Sequence, residues 1–177
     1  MNPKEKEIDE VLTRGISYIF PSREELKKQL LSGERLRVYL GADATGPELH
    51  LGHAKNLIVL EKMRRLGHEA ILLFGDFTAR IGDPTDKAAA RRRLSKEEVE
   101  YNLKDWEKQA GRVLDFHDVK NPVKIMRNTE WLEGLTLNDV IDIAANVTVQ
   151  QMIERDMFEK RLQEKKPIYL HEFLYPL

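Results

Sequence analysis

The chain has 177 residues, of which 41% are hydrophobic, a size and composition sufficient for one domain with a substantial core. Its formal net charge of −1 excludes a global basic field that would gather nucleic acid, and the absence of cysteine excludes disulfides and thiol chemistry. No run of about 18 apolar residues occurs, and the N-terminus lacks the apolar core of a signal peptide, so we expect a cytoplasmic protein without a membrane segment.

The first half of the chain alternates between helical and strand patterns. Apolar spacing predicts a helix over residues 3–16, and a capping box of Ser22 with Glu25 predicts a second helix that ends at Gly33. A strand, a helix and a strand follow, over residues 36–41, 51–66 and 70–74. This order predicts a parallel pair with a right-handed crossover, the first part of a doubly wound α/β sheet with ligands beyond the carboxyl ends of its strands.

The second half of the chain is mainly helical. The capping box of Ser95 with Glu98 begins a helix that extends to Ala110, and residues 124–127 are a possible third parallel strand. Two amphipathic helices follow, over residues 137–147 and 149–162. The chain stops on an apolar run at Leu177, which is unlike an ordinary domain boundary.

Two histidines, His50 and His53, fall on the first turn of the helix over residues 51–66. First-turn N–H groups lack intrahelical partners and carry the positive end of the helix dipole, so this turn is suited to bind phosphate. Neutral imidazoles can donate to phosphate there without blocking the backbone donors, and Gly52 leaves room for a flat ring. The alternatives are solvated histidines near a helix end and a zinc site, although no third ligand stands nearby.

A long loop over residues 75–95 follows the second strand, and long loops in compact domains are often functional. It contains Asp83 before Pro84 and the two cations Lys87 and Arg91. Taken alone, Asp83 is an ordinary turn residue and the basic run is a solvated edge.

Four motifs occur in order along the chain. They are Tyr39-x-Gly41-x-Asp43-x-Thr45, His50-x-Gly52-His53, Gly82-Asp83-Pro84-x-x-Lys87-x-x-x-Arg91 and His171-Glu172-Phe173-Leu174-Tyr175. In order and interval they resemble the bacterial tyrosyl-tRNA synthetases, which are class I synthetases with a Rossmann-type parallel sheet. The resemblance covers nearly the whole chain from about residue 34.

The resemblance implies ATP-dependent activation of L-tyrosine and transfer of the tyrosyl group to tRNA(Tyr) by a homodimer. ATP enters as a substrate with Mg²⁺, and no metal bound by the protein itself is expected. The chemistry needs positioning and charge stabilisation on the leaving phosphates rather than a covalent enzyme intermediate. By matching position, Thr45 and His50 hold the β- and γ-phosphates.

Other residues are implied at the nucleotide and at the pyrophosphate. His53 matches a residue beside the nucleotide, Gly52 lies under the adenine, and Gly41 belongs to the same nucleotide-binding motif. Lys87 and Arg91 match cations of a mobile loop that close on pyrophosphate as charge develops.

Four residues are implied at the amino acid. Asp83 resembles the carboxylate that receives the tyrosine ammonium in a charge-assisted bond, with Tyr175 as its hydroxyl-bearing neighbour and Asp43 in the same substrate-binding group. Tyr39 resembles one of two partners of the substrate's phenolic hydroxyl. As plain sequence features, Tyr39 inside a strand favours core packing, and Tyr175 on an apolar stretch is compatible with it.

The chain departs from the family at Ala44, where proline is common, and at Asp86, where glycine is common. The first change loosens the turn before Thr45, and the second puts an acidic side chain beside Lys87, which would weaken its attraction for pyrophosphate.

The expected segments are N-terminal helices over 1–33, the first half of a Rossmann-type catalytic domain over 34–128 and a helical connecting and dimer-interface segment over 129–177. In the last segment, Met152, Met157 and Phe158 are expected to face the partner as well as the core. We expect the chain to be an N-terminal fragment that lacks the second half of the nucleotide fold. The alternatives are another nucleotidyl transferase with an HxGH motif and a non-catalytic truncated paralogue that binds a nucleotide or dimerises.

Overall fold

The computed structural model describes residues 3–83 and 93–177. The chain forms two compact units, each assembled from separate stretches. The first consists of Met1–Gly41, Glu48–Leu73 and Asp105–Met126, and the second of Ala42–Pro47, Phe74–Lys104 and Arg127–Leu177. The segment boundaries expected from the sequence, after residues 33 and 128, stay a prediction.

The secondary structure alternates between helix and strand and then becomes helical. In chain order the elements are α1 (Pro3–Thr13), α2 (Arg23–Leu31), β1 (Arg37–Asp43), α3 (Leu51–Arg65), β2 (Glu69–Gly75), α4 (Thr78–Ile81), α5 (Lys96–Leu103), α6 (Trp106–Ala110), β3 (Lys124–Arg127), α7 (Thr129–Leu132), α8 (Leu137–Ala144), α9 (Val149–Ile153), α10 (Asp156–Gln163) and a 3₁₀ helix (Leu170–Leu174). The strands form a parallel sheet in the order β1-β2-β3, which confirms the predicted α/β class. Among the described residues, no helix has both the length and the apolar character needed to cross a membrane.

The two long strands differ in how they are covered. In β2, Ala70, Ile71 and Phe74 are buried, as expected for an apolar run covered on both faces. Strand β1 lies at one end of the sheet order, and its residues alternate between exposed and half-buried up to Gly41. The strand does not stop at Gly41 as predicted but continues to Asp43, which therefore lies at its carboxyl end.

Helices α1, α2 and α3 each bury an apolar face in the core of the first unit. The buried members of this core are Ile8, Val11, Leu12, Leu30 and Met63. Gly67 follows the end of α3 with a φ of +97°, and the His68 N–H donates to the Met63 carbonyl at 3.2 Å. This is the glycine-terminated helix end that the sequence predicts.

A buried ion cluster ties α3 to the loop before β3 in the first unit. Arg64, which is 7% exposed, donates to both carboxylate oxygens of Glu61 and to Asp118 Oδ2, each at 2.8 Å. The Asn121 side-chain amide donates to the Arg64 carbonyl at 3.0 Å, and the Asn121 carbonyl accepts from Arg64 at 2.9 Å. Burial opposes ionisation of Glu61, but the hydrogen bonds from Arg64 and Arg65 hold its pKa below the usual range.

Two of the predicted long helices are each interrupted. The backbone leaves the helical region at Asp105 (φ −111°, ψ 3°), which separates α5 from α6. It does so again at Arg155 (φ −68°, ψ 137°), which separates α9 from α10. The helices predicted over residues 95–110 and 149–162 are therefore wrong in their continuity, since side-chain periodicity does not register a single non-helical residue.

The apolar residues of α9 and α10 pack inside the second unit. Met152 is 5% exposed and Phe158 is fully buried, and the Phe158 ring meets the edge of Phe173 at a centroid distance of 4.8 Å. The expectation that Met152 and Phe158 face a partner is therefore wrong, because neither side chain has surface to offer. Met157 is half-buried.

Candidate functional site

Asp43, at the carboxyl end of β1, is the centre of a polar cluster in the second unit. Its Oδ1 accepts a hydrogen bond from the Thr78 hydroxyl at 2.6 Å, and its Oδ2 accepts one from the Tyr175 hydroxyl at 2.9 Å. Thr78 begins α4, and Tyr175 directly follows the 3₁₀ helix. Tyr175 is only half-buried and its hydroxyl is bonded to a carboxylate, so it is not a simple core residue.

Asn128, which follows β3, orients the Thr78 hydroxyl. Its Nδ2 donates to Thr78 Oγ1 at 2.8 Å, and its Oδ1 accepts from the Phe77 N–H at 2.9 Å. Since Thr78 Oγ1 accepts from Asn128, its own proton is directed at Asp43. Sequence reasoning missed Asn128 and Thr78, although both follow strands at the carboxyl ends where α/β sheets hold their ligands.

Gly75, the last residue of β2, makes room for this arrangement. A Cβ at this position would stand 1.9 Å from Asp43 Oδ1 and 2.6 Å from Thr78 Oγ1. Both distances are far below van der Waals contact, so Asp43 and Thr78 can hold their present positions only beside glycine.

The electrostatics of the cluster are those of an anionic site. Burial raises the pKa of the Asp43 carboxyl against the hydrogen bonds from Thr78 and Tyr175, and the charge of Asp83 raises it further. Burial, followed by the charges of Asp43 and Asp83, also raises the pKa of the Tyr175 phenol. The fold thus brings two of the four residues expected at the amino acid, Asp43 and Tyr175, into contact, and the charge of Asp83 acts on both.

The two histidines of the first unit bond to each other's backbone at the start of α3. His50 is the N-cap residue, and its Nδ1 accepts from the Gly52 N–H at 3.1 Å. The His53 Nδ1 accepts from the His50 N–H at 3.2 Å, and the two rings lie 4.0 Å apart. Because each Nδ1 accepts from a backbone N–H in this cap, the ring proton lies on Nε2, which makes each imidazole a donor there.

This cap corrects one expectation about the helix start. The Gly52 N–H was expected to be open to a ligand, but it is in use by His50 Nδ1. A Cβ at Gly52 would stand 2.9 Å from His50 Cε1, so the ring that lies against this glycine is the His50 imidazole. The donors available to an anion here are therefore the imidazole Nε2–H groups rather than the full set of first-turn amides.

Helix α6 supports the segment before α3 in the first unit. The Leu49 N–H donates to Gln109 Oε1 at 2.8 Å, and the ring of Trp106, which is 2% exposed, lies 6.0 Å from that of His53. In the described parts of the chain, no three His, Asp, Glu or Cys side chains form a group that could hold a metal ion, so the zinc alternative finds no third ligand there.

Tyr39 and Gly41 lie on β1 in the first unit. The Tyr39 side chain is 69% exposed, which excludes the alternative that it fills the core. It lines an open cavity of about 340 Å³ together with Tyr18 and the α3 residues Lys55 and Asn56. A Cβ at Gly41 would meet only Leu73 Cδ2, at 3.9 Å, so packing alone does not require glycine there.

The remaining candidates from the sequence are Thr45, Lys87 and Arg91. Thr45 is exposed in the second unit, and its N–H donates to the Asp43 carbonyl at 2.8 Å, which closes the turn after β1. Lys87 and Arg91 lie outside the described residues. The candidates therefore form two groups, one around Asp43 in the second unit and one around His50 in the first.

The sequence is similar to curated tyrosine-tRNA ligases. It is 46% identical over 172 residues to that of a Synechococcus species and 47% identical over 171 residues to that of Carboxydothermus hydrogenoformans. The matches cover 96% and 95% of this chain but 41% of each relative. The chain thus spans about two fifths of the length of these relatives.

The fold is similar to solved structures of tyrosyl-tRNA synthetases. A C-terminally truncated mitochondrial enzyme of Aspergillus nidulans superposes with a TM-score of 0.82 at 22% identity, over 99% of this chain and 51% of that one. An Archaeoglobus fulgidus enzyme complexed with L-tyrosine gives 0.69 at 22% identity, over 98% and 50%. A family model described as class I tRNA synthetases (W and Y) matches residues 31–177. The chain therefore belongs to the class I tRNA synthetases of the tryptophan and tyrosine group.

Proposed function

We propose that the full-length protein is a cytoplasmic tyrosine-tRNA ligase, which forms tyrosyl-adenylate from L-tyrosine and ATP and passes the tyrosyl group to tRNA(Tyr). Family membership directs attention to tryptophan and tyrosine, and the curated relatives at 46% and 47% identity carry the tyrosine name. The observation that carries the proposal is the acceptor-rich cluster of Asp43, Asp83 and Tyr175.

An α-ammonium group suits the chemistry of this cluster. It is a cation with three N–H donors, and the cluster offers the Asp43 carboxylate and the Tyr175 phenol oxygen in the field of Asp83. Because the Tyr175 hydroxyl donates its hydrogen bond to Asp43, the lone pairs of the phenol oxygen stay available as acceptors. Asp83 is the proposed ionic partner of the ammonium, and the raised pKa values of Asp43 and Tyr175 support a site that gains by receiving positive charge.

The proposed phosphate contacts rest on the chemistry of the α3 start. The Nε2–H groups of His50 and His53 are suited to donate to phosphate oxygens, and Thr45 offers an exposed hydroxyl. Lys87 and Arg91 would add positive charge as pyrophosphate leaves. Mg²⁺ would arrive with ATP, held mainly by phosphate oxygens and water.

The remaining proposed contacts concern the phenol and the nucleotide. Tyr39 would bond the substrate's hydroxyl, and its exposure supports a role outside the core. Gly41 and Gly52 are proposed at the nucleotide. The space over Gly52 is at present filled by His50, so an adenine there would require the imidazole to turn away.

Exchange of labelled pyrophosphate into ATP, measured with a panel of amino acids, tests the proposal. We expect exchange that depends on L-tyrosine, and an Asp83→Asn variant whose KM for tyrosine rises while its KM for ATP changes little. Exchange with tryptophan instead would contradict the choice of substrate. Nucleotidyl transfer to a different acid or alcohol would favour another transferase with an HxGH motif.

We also propose that the protein is a homodimer that associates through α8. No residue of α8 is buried, and Leu137 and Ile141, one turn apart, are 75% and 55% exposed. An apolar helix face of this kind is typical of an interface. We expect Ile141→Asp to convert a dimer to a monomer in sedimentation velocity, whereas Asn138→Asp adds the same charge off this face and leaves the dimer intact. A dimer that survives Ile141→Asp would exclude α8 as the interface.

A further inference from the structure

Arg161 and Glu172 form an ion pair in the second unit, apart from the residues assigned above to the substrate. Arg161 lies on α10, and its guanidinium donates to both carboxylate oxygens of Glu172. The side chains are 11% and 4% exposed. A two-pronged pair of this kind fixes orientation as well as distance, and burial protects it from screening by salt.

The same two side chains fasten the turn between α10 and the 3₁₀ helix. Arg161 also donates to the Pro167 carbonyl, and Glu172 Oε1 also accepts from the Tyr169 N–H at 3.1 Å. Tyr169 is the residue that precedes the 3₁₀ helix, so Glu172 caps the element on which it lies. Arg161 and Glu172 therefore fix the backbone between α10 and the 3₁₀ helix at two points, the Pro167 carbonyl and the Tyr169 N–H.

Tyr175 depends on this element for its position. Its N–H donates to the Glu172 carbonyl at 3.2 Å, and its hydroxyl reaches Asp43 at 2.9 Å. Phe173 attaches the 3₁₀ helix to α10 through Phe158, but an aromatic contact tolerates rotation of the helix about its axis. The Arg161–Glu172 pair does not tolerate this rotation, because its two hydrogen bonds keep the guanidinium and the carboxylate in one plane.

We propose that the Arg161–Glu172 pair is the positioning element of Tyr175, and that it thereby sets how well the site holds the α-ammonium of the amino acid. This inference rests on the proposed function for its ligand, but the effect on Tyr175 is a property of the fold alone. Both side chains act through the backbone that leads into the 3₁₀ helix, by the hydrogen bonds to Pro167 and Tyr169. Lysine cannot replace Arg161, because one ammonium does not span both oxygens of Glu172 and the Pro167 carbonyl in the same plane.

The test uses Arg161→Lys and Glu172→Gln in the full-length protein. The control is Val99→Ala, which removes two methyl groups from a buried core position (1% exposed) on α5 and loses stability without touching the pair. The two ligands are L-tyrosine and phloretic acid, the analogue that lacks the α-ammonium. We expect the Kd for tyrosine to rise about tenfold in both variants, while the Kd for phloretic acid changes little. In Val99→Ala the ratio of the Kd for tyrosine to the Kd for phloretic acid should equal that of the wild-type protein.

A second measurement separates this inference from the proposed function. Hydrogen-deuterium exchange without ligand should become faster in residues 169–175 of both variants, and not in Val99→Ala. Unchanged exchange there, or an equal loss of affinity for both ligands, would overturn the positioning role. If the wild-type protein binds no tyrosine, the proposed function fails and the exchange result alone decides on the pair. If Arg161→Lys does not fold, Glu172→Gln decides both measurements.

Discussion

Replacing Gly75 by alanine tests whether the Asp43 cluster depends on a missing side chain. The new Cβ would stand 1.9 Å from Asp43 Oδ1 and 2.6 Å from Thr78 Oγ1. Gly134→Ala is the matched control, because a Cβ at Gly134 meets no atom within 4 Å. Neither glycine has a positive φ, so neither substitution strains the backbone.

Two opposing effects decide how much Gly75→Ala changes the free energy of unfolding. Replacing glycine by alanine where the backbone permits it stabilises a protein by about 0.4–1 kcal/mol, because the unfolded chain loses freedom. Against this, a hydrogen bond to a charged group is worth about 1.5–3 kcal/mol, and the 2.6 Å bond from Thr78 to Asp43 cannot survive the new methyl group. We therefore expect Gly75→Ala to lower the free energy of unfolding by roughly 1–2 kcal/mol, and Gly134→Ala to leave it unchanged or slightly raised.

Calorimetry and pyrophosphate exchange measure the two consequences. We expect Gly75→Ala to lower the Tm by a few degrees and to raise the KM for tyrosine about tenfold, since the carboxylate that Tyr175 contacts has moved. In an Asp43→Ala background only the 2.6 Å approach to Thr78 Oγ1 remains, so adding Gly75→Ala should cost less stability than it does in the wild-type protein. Behaviour of Gly75→Ala like that of Gly134→Ala would refute the steric argument, and an undiminished penalty without Asp43 would locate its cause elsewhere.

Two further predictions concern the first unit. Burial, followed by the charge of His50, lowers the pKa of His53 from its usual 6.5, so the unfolded chain takes up this proton first as the pH falls. The contribution of the cap to stability is therefore complete above about pH 6.5 and is lost below it, and a His53→Asn variant should show a shallower loss of Tm between pH 7 and 5. Glu61→Ala should lower the free energy of unfolding by roughly 3 kcal/mol, because it leaves the buried Arg64 guanidinium short of its main partner. Glu133→Ala, which removes an exposed ion pair with Lys96, should cost much less in the same urea titration, and equal losses would contradict the assignment of the Glu61 pair as buried and strong.

The sequence predicts the elements whose signals are local. Helix α3 begins directly after its N-cap His50 and ends before Gly67, because the cap and the glycine each act on a neighbouring turn of the helix. The capping box at Ser95 forms as predicted, since it joins residues three positions apart. Strand β2 is recognisable from an apolar run alone.

The candidate site was less accessible to sequence reasoning because its contacts are long-range. The bond between Asp43 and Tyr175 joins positions 132 residues apart, and the bond between Thr78 and Asn128 joins positions 50 apart. No periodicity encodes such a pairing, and the motif match supplied Asp43 and Tyr175 but neither Thr78 nor Asn128. The exposure of Tyr39 likewise follows from the place of β1 in the sheet, which no local pattern specifies.

In the Asp43 cluster, neutral hydroxyl groups surround a charged carboxylate, and their role follows from electrostatics. A half-buried carboxylate with a second carboxylate in its field is costly, as the raised pKa of Asp43 indicates. The hydroxyls of Thr78 and Tyr175 reduce that cost by donating to the carboxylate without neutralising its charge. A cation placed there therefore offsets a cost that the folded protein already carries, mainly from burying the Asp43 charge and to a lesser degree from its repulsion by Asp83. An arginine or lysine in place of Thr78 would stabilise the empty cluster, and by the same electrostatics it would remove the attraction for an ammonium group.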